Sequence, residues 1–307
     1  MRLLIEALAR TVMIEGGELL VCFGDCLEPG VYHLHSRFAR ALNYLSGERL
    51  LSLVTPQVGG GPTNIVLSDI GWVDSPSIRV TAGCVVIGSQ TIALPPACRY
   101  QSELTFAEAD MLRSVQHFGA FERILIESSP PLSFAFVLEE ARKSCFTTPF
   151  DRHLAERVIE AWNLLKRLNV AAGVHHILGT GYGLTPSGDD FVAGWAAGLR
   201  LLADLYQRDT ADELALIARQ IVTGNPISRN LLWCALRGRY AERVRNLLQA
   251  IIGGSRREVE QRAQEVLRIG ETSGADFSTG LVASLKVHGI LADPSLTADG
   301  RSSNTAT

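Results

Sequence analysis

The sequence predicts an α+β protein, with a β-rich barrel or sandwich-like N-terminal domain followed by a mostly helical domain. Short apolar runs broken by Gly, Pro, Asp and Ser fill the first hundred residues. From residue 101 onward, apolar residues recur three and four apart, as in amphipathic helices. With 307 residues, 47% of them hydrophobic, the chain is long enough for two domains with substantial cores. We expect boundaries at 1–100 and 101–291, and a disordered tail at 292–307.

Six apolar runs predict the strands of the first domain. They are residues 18–23, 31–35, 50–54, 64–67, 84–87 and 91–94. Residues 36–45 instead space Phe38, Leu42 and Leu45 three and four apart, which predicts a helix packed on the sheet. This set of elements fits either a barrel or a sandwich.

The second domain shows helix starts with caps. Thr105 and Glu108 predict a capping box that opens a helix through Phe118, and Thr148 before Pro149 predicts another helix start. Residues 123–127 predict one further strand. The remaining predicted helices are 134–143, 185–205, 212–222, 228–237, 242–252, 255–269 and 273–287.

The composition excludes several classes of function. A net charge of −3 gives no electrostatic case for binding nucleic acid or an anionic membrane. No run of about eighteen uncharged apolar residues is present, and the N-terminal stretch has no small-residue cleavage site. The six cysteines form no C-x-x-C pair, which argues against a disulfide framework and a structural zinc site. We therefore expect a cytoplasmic protein without a structural metal.

The pattern S-G-x-D-F-x-x-G occurs twice, at residues 187–194 and 273–280, each time at a predicted helix start. Residues four apart share a helix face, and small residues at that spacing let two helix backbones approach closely. In the first copy this stripe consists of Asp190, Gly194 and Gly198. In the second copy it consists of Asp276, Gly280 and Ser284. We therefore expect the two helices to pack together with their starts near a common point.

Such a pair of helix starts is a candidate anion site, because first-turn N–H groups are unpaired and carry the positive end of the helix dipole. Hydroxyl donors are added by Thr185, Ser187, Thr272 and Ser273, and close backbone approach is permitted by Gly179, Gly181, Gly183 and Gly188. Gly274 is a further ligand-binding candidate. The alternative is a plain capping box, in which Ser and the Asp three residues later stabilise the helix and bind nothing. The glycines before Ser187 and the second acid, Asp189, favour a function for the first copy.

A third helix start lies between the copies, at residues 223–230. It includes Thr223, with Ser228 as the predicted cap, and Arg229 is placed to hold a carboxylate or phosphate in a bidentate manner. A surface arginine in a first turn is the alternative. His33 and His35 would share a strand face, but no third ligand is near them in sequence, so no metal site is expected there.

Residues 181–194, Thr223 with Ser228, and residues 269–281 resemble a bacterial family that contains a subunit of the oxamate carbamoyltransferase of allantoin breakdown, a route of purine degradation. The segment 31–43, with His35, Ser36 and Asn43 as further ligand-binding candidates, also looks like this family. The likeness covers nearly the whole chain.

The resemblance implies a reaction in which a carbamoyl group is exchanged between phosphate and the amide nitrogen of oxamate, in company with other, unrelated subunits. Such a transfer needs anion donors, carbonyl polarisation and alignment, but no protein nucleophile. The helix starts and Arg229 would supply the donors, and Asp189, Asp190 or Asp276 would orient an amide N–H or take a proton. Two alternatives stay open: a non-catalytic ligand-sensing or partner subunit, and a hydrolase that holds Mg²⁺ through the three aspartates.

Overall fold

The computed structural model describes residues 13–14, 17–104, 111–221 and 225–291. The chain forms two compact units: the described residues up to Glu103 together with Arg239–Arg245, and residues 104–238 together with the described residues from Asn246 onward. The predicted α+β class is confirmed, since a curled half-barrel sheet precedes a helical region. The predicted Thr105 capping box, Thr223 and the predicted disordered tail at 292–307 lie outside the described residues.

The first unit is built on one sheet, whose strands are mostly antiparallel. In the described chain, nine strands follow the order β10-β9-β8-β4-β5-β6-β7-β3-β11, and β1 pairs only with β2. Two neighbouring pairs, β6 with β7 and β3 with β11, run parallel. The strands are β1 Met13–Ile14, β2 Gly17–Glu18, β3 Leu20–Gly24, β4 Gly30–Phe38, β5 Ala41–Ser46, β6 Arg49–Val54, β7 Asn64–Leu67, β8 Ser77–Val80, β9 Cys84–Ile87, β10 Gln90–Ala93 and β11 Arg99–Tyr100.

One face of this sheet carries the core of the first unit. Its fully buried members come from several strands and include Tyr44, Leu51 and Ile65. Burying side chains of this size stabilises the folded state by about 1.5–3 kcal/mol each. The half-barrel is therefore held by a core that belongs to the first unit alone.

The predicted helix at 36–45 is wrong, because this segment forms the hairpin of β4 and β5. Phe38 pairs with Ala41 across the turn, and β5 also pairs with β6 on its other side. Phe38 is 45% exposed whereas Leu42 is buried, so the two residues do not share the buried face that a helix would give them. Strand pairing on both sides of β5 thus overrides the helix-like spacing. Strand β8 has no counterpart among the predicted strands.

The second unit is helical. Its described helices are α1 Met111–Ser128, α2 Pro149–Lys166, α3 Val170–Ile177, α4 Ser187–Asp204, α5 Ala211–Gln220, α6 Pro226–Leu236, α7 Glu242–Gly253 (whose first turn belongs to the first unit), α8 Arg256–Leu267 and α9 Ser273–Val287. The capping box at Thr148, with Asp151 as its partner, confirms the predicted start of α2. No helix in the described part of the chain combines the length and apolar character needed to cross a membrane.

Two predictions in this unit are wrong. Residues 123–127 form no strand but continue α1, since Phe118, Phe121 and Leu125 recur three and four apart on its buried face. The predicted helix at 134–143 is replaced by two 3₁₀ turns, Phe134–Val137 and Glu140–Cys145. Leu138 N donates to Ala135 O and Phe146 N donates to Lys143 O, and hydrogen bonds between residues three apart are those of a 3₁₀ turn.

Candidate functional site

The two motif copies begin helices α4 and α9, and these helices pack along their stripes of small residues. A Cβ atom on Gly194 would lie 1.8 Å from the carbonyl oxygen of Phe277, and one on Gly280 would lie 1.9 Å from that of Phe191. The contact is reciprocal, because each motif glycine receives the backbone of the motif phenylalanine from the other copy. The predicted packing of the two helices is confirmed.

The second motif residue, a glycine, has a packing role in both copies. A Cβ atom on Gly188 would lie 1.9 Å from Ile177 O, and one on Gly274 would lie 1.9 Å from Val266 O. Their N–H groups donate to Thr180 O at 2.8 Å and Ile269 O at 3.0 Å. These two glycines are thus explained by contact with the chain segment before them, and their N–H groups are already engaged. A ligand contact at Gly188 or Gly274 stays a prediction.

The glycines before Ser187 shape the loop that leads into α4. Gly181 and Gly183 have φ values of 104° and 95°, a region that only glycine adopts readily. A Cβ atom on Gly181 would lie 2.7 Å from Ser187 Cβ. The loop therefore depends on both glycines to pass close to the helix start, and Tyr182 between them is 43% exposed.

Neither motif serine caps its helix. Ser187 and Ser273 are the first helical residues, and Pro186 and Thr272 occupy the cap positions without a capping side-chain hydrogen bond. The capping-box interpretation is therefore wrong for both copies.

The hydroxyl groups instead face each other across the two copies. Ser187 Oγ lies 3.4 Å from Thr272 Oγ1, and Thr185 Oγ1 lies 3.5 Å from Ser273 Oγ. The two helix starts thus meet at one place, as predicted. Hydroxyl pairs bond best at about 2.7–2.8 Å, so both contacts are weak.

Two motif carboxyl groups are buried at this meeting point. Asp190 Oδ2 accepts a hydrogen bond from Thr185 Oγ1 at 3.1 Å, and Asp276 Oδ1 accepts one from Phe134 N at 2.6 Å. Asp276 is fully buried, and its Oδ2 has no hydrogen-bond partner among the described residues. Oδ2 of Asp189 is likewise without one, so this region holds two buried carboxyl oxygens that the described residues leave without a partner.

Burial controls the protonation of both acids. It raises the pKa of Asp276 to about 7, against the opposing effects of Phe134 N and the hydroxyls of Thr272 and Ser187. Burial, followed by the charge of Asp276, raises the pKa of Asp190 well above its ordinary value, while Ser273 and Thr185 act in the opposite direction. Each acid is thus influenced by the serine of the other motif copy. Burial, and for Asp190 also the charge of Asp276, thus favour retention of a proton by the pair.

Asp189 breaks the symmetry of the two copies, because the second motif has Ala275 at this position. Its Oδ1 accepts a hydrogen bond from Gly179 N at 2.7 Å, which fastens the glycine-rich loop to α4. In the residues that the structure covers, no three His, Cys, Asp or Glu side chains gather as metal ligands. Coordination of Mg²⁺ by Asp189, Asp190 and Asp276 stays a prediction.

The start of α6 adjoins the same loop through Asn225, which sequence analysis did not single out. Asn225 caps the helix by accepting from Ile227 N and Ser228 N, so the prediction of Ser228 as the cap is wrong. The physical reason is Pro226, which is suited to the first helical position and places the cap one residue before it. Asn225 Nδ2 also donates to Leu184 O at 2.5 Å. Arg229 is half-buried in the first turn of α6.

His35, Ser36 and Asn43 lie in the first unit, on β4 and β5. Asn43 Nδ2 donates to Ser36 Oγ at 3.0 Å, and His35 Nδ1 lies 3.2 Å from the same oxygen. Ser52 Oγ on β6 donates to Asn43 Oδ1 at 2.7 Å. These contacts connect three neighbouring strands, and a ligand contact of the three residues stays a prediction.

Two groups at the helix starts were missed. Phe134 N, the donor to Asp276, comes from a 3₁₀ turn far away in sequence, and nothing in the sequence marks it. Asn225 was recognisable, because Asn before Pro is a favoured helix start.

No solved structure matches the chain. The family model described as oxamate carbamoyltransferase subunit AllH matches residues 177–285, which include both motif copies and the start of α6. The resemblance stated from the sequence is thus confirmed over this segment: residues 177–285 match the family of the oxamate carbamoyltransferase subunit AllH.

Proposed function

We propose that this protein is a cytoplasmic subunit of a carbamoyltransferase, which moves a carbamoyl group between phosphate and the amide nitrogen of oxamate or a related small amide in allantoin breakdown. The observation that carries the proposal is the meeting of the two helix starts inside the segment that matches the AllH model. Because that model describes a subunit, we expect further subunits to complete the enzyme.

The ligand we propose is a small carboxylate or phosphate held between the two starts. The N–H groups of Gly188 and Gly274 are engaged, and Thr185 Oγ1 donates to Asp190 Oδ2. The donors are therefore the hydroxyls of Ser187, Thr272 and Ser273. Two long hydroxyl contacts, at 3.4 and 3.5 Å, are easily exchanged for shorter bonds to an anionic oxygen. Binding therefore breaks only two weak hydroxyl contacts and forms stronger, charge-assisted hydrogen bonds to the ligand.

The two buried acids suit a ligand that has an amide at one end and a carboxylate at the other. A protonated carboxyl group donates a hydrogen bond to an anionic oxygen, whereas an ionised one accepts from an amide N–H. The pair supplies both functions in the state that holds a single proton, with one acid protonated and the other ionised. In the transfer, the ionised member would take the proton that the amide nitrogen loses when it attacks the carbamoyl carbon.

The test is thermal unfolding with oxamate, oxalurate, carbamoyl phosphate, phosphate and divalent metals. A ligand at one hundred times its Kd stabilises by about 2.7 kcal/mol. We expect this stabilisation with oxamate or carbamoyl phosphate, and a loss of most of it in Ser187→Ala. The matched control is Ser144→Ala, because Ser144 is exposed and its hydroxyl donates to the nearby Ala141 O.

Stabilisation by none of these compounds would contradict the proposal. A ligand could raise Tm while no phosphate is released from carbamoyl phosphate in the presence of oxamate and the co-purified subunits. That result would assign the protein to ligand sensing. A shift produced only by Mg²⁺ would favour the hydrolase alternative.

A further inference from the structure

The first unit contains a cavity of about 470 Å³ whose wall includes two cysteines. It lies beside the end of the sheet where β11 pairs with β3, and it is lined by Cys22, Cys98, Tyr100 and Glu242 among others. Cys22 and Cys98 are both free and half-buried. A cavity of this size gives a small reagent access to both thiols.

The strand register brings the two cysteines together. On the parallel strands β3 and β11, Phe23 pairs with Arg99 and Gly24 pairs with Tyr100. Cys22, within β3, and Cys98, at the end of the 3₁₀ turn Pro96–Cys98 that leads into β11, are the residues directly before the first of these pairs. Neighbouring strands lie about 4.8 Å apart, which falls within the separation of about 4.4–6.8 Å that Cα atoms of a disulfide show. The charge of Cys98 also contributes to the raised pKa of Cys22, as expected for adjacent thiols.

We propose that Cys22 and Cys98 form an oxidisable dithiol, which a low-molecular-weight disulfide converts reversibly into an intramolecular disulfide bond. The bond would tie the edge strand β11 to β3 and alter the wall of the cavity. This site belongs to the first unit and does not depend on the function proposed for the helix starts.

The reaction balances as two thiol–disulfide exchanges. One cysteine thiolate attacks a sulfur of the small disulfide, whose S–S bond breaks, and a mixed disulfide and one small thiolate result. The second cysteine attacks the protein sulfur of the mixed disulfide and expels the other small thiolate. The two protons released by the cysteines end on the two small thiols, so the protein is oxidised and the reagent is reduced.

The environment of Cys22 sets the pH range of this exchange. Burial, together with the nearby carboxylate of Glu242 and with Cys98, raises the pKa of Cys22 to about 11. Its thiolate is scarce at neutral pH, so the exchange is slow there and faster as the pH rises. We therefore expect the dithiol to oxidise slowly at neutral pH.

The test is peptide mapping after oxidised glutathione is added to the full-length protein at mildly alkaline pH, with free thiols then blocked. Trypsin places Cys22 with Cys26 in the peptide 11–37, and Cys98 with Cys84 in the peptide 80–99. We expect these two peptides to become linked, and reduction to separate them. The Cys26→Ser, Cys84→Ser double variant should keep the link, and Cys22→Ser or Cys98→Ser should abolish it.

Fragmentation of the linked peptides from the wild-type protein assigns the bonded pair even where a variant fails to fold. The proposal is overturned when glutathione adducts form on separate cysteines without a link between these peptides. It is equally overturned when the link is carried by Cys26 or Cys84.

Discussion

The reciprocal glycine contact between α4 and α9 gives a sharp prediction for Gly280→Ala. The new Cβ atom would lie 1.9 Å from Phe191 O, 2.8 Å from Phe191 C and 2.9 Å from Trp195 N. All three are backbone atoms of a buried helix, so no side chain can rotate away. The helices must separate by roughly 1.5 Å before ordinary van der Waals contact returns.

The net cost follows from two opposing effects. Overpacking of a tight core costs about 1–3 kcal/mol, and the upper end applies because rigid backbone is involved. Alanine in a helix interior recovers about 1 kcal/mol relative to glycine. We therefore expect a loss of about 2 kcal/mol, which lowers Tm by about 4–8 °C in a unit of this size.

The assay is thermal unfolding followed by circular dichroism, with Gly119→Ala as the matched control. Gly119 lies inside helix α1, and a Cβ atom there would meet nothing within 4 Å. Gly119→Ala gains the higher helix propensity of alanine without any clash, so it should melt slightly above the wild type. A Gly280→Ala protein that melts as high as Gly119→Ala would refute the close packing of the two motif helices.

Two predictions concern pH. The pKa of Asp276 is about 7 in the folded state, so its contribution to stability is fully present below the unfolded pKa of about 3.9 and is lost as the pH rises through 7. Asp276→Asn should therefore flatten the dependence of the unfolding free energy on pH in this range, measured by chemical denaturation. An unchanged dependence would argue against a pKa raised by burial. His288, which bonds Glu213 Oε1 at 3.1 Å and Ser284 O at 2.8 Å, has a raised pKa despite its burial and the opposing charge of Arg208. The contribution of His288 to stability is present below the unfolded pKa of about 6.5 and is lost as the pH rises through the folded pKa. His288→Gln should therefore be most destabilising at acidic pH. An equal loss of unfolding free energy at pH 5 and pH 9 would contradict this.

The convergence of the helix starts was predictable from the sequence because it rests on local pattern. Gly194 and Gly280 recur at helical spacing with the motif acids, and this spacing places each glycine and its acid on one stripe of their own helix. The bounds of α9 follow from the same pattern. The start of α6 was missed by two residues, since Asn225 and Pro226 are a stronger start than Ser228.

Other features depend on contacts that no local pattern records. Residues 36–45 show helical spacing but become strand because β6 pairs with β5 from the other side. The same holds for the protonation of the acids. Asp276 and Asp190 have raised pKa values because distant segments bury them together, and the donor to Asp276 comes from Phe134.

Isothermal titration calorimetry with oxamate tests the central claim most directly, on the wild-type protein and on the Ser187→Ala, Ser273→Ala double variant. Because a hydrogen bond to a charged group contributes about 1.5–3 kcal/mol, we predict saturable one-site binding to the wild type and affinity at least about tenfold weaker in the variant. Equal affinity for the two proteins, each shown to be folded, would contradict the claim that the paired helix starts hold the ligand.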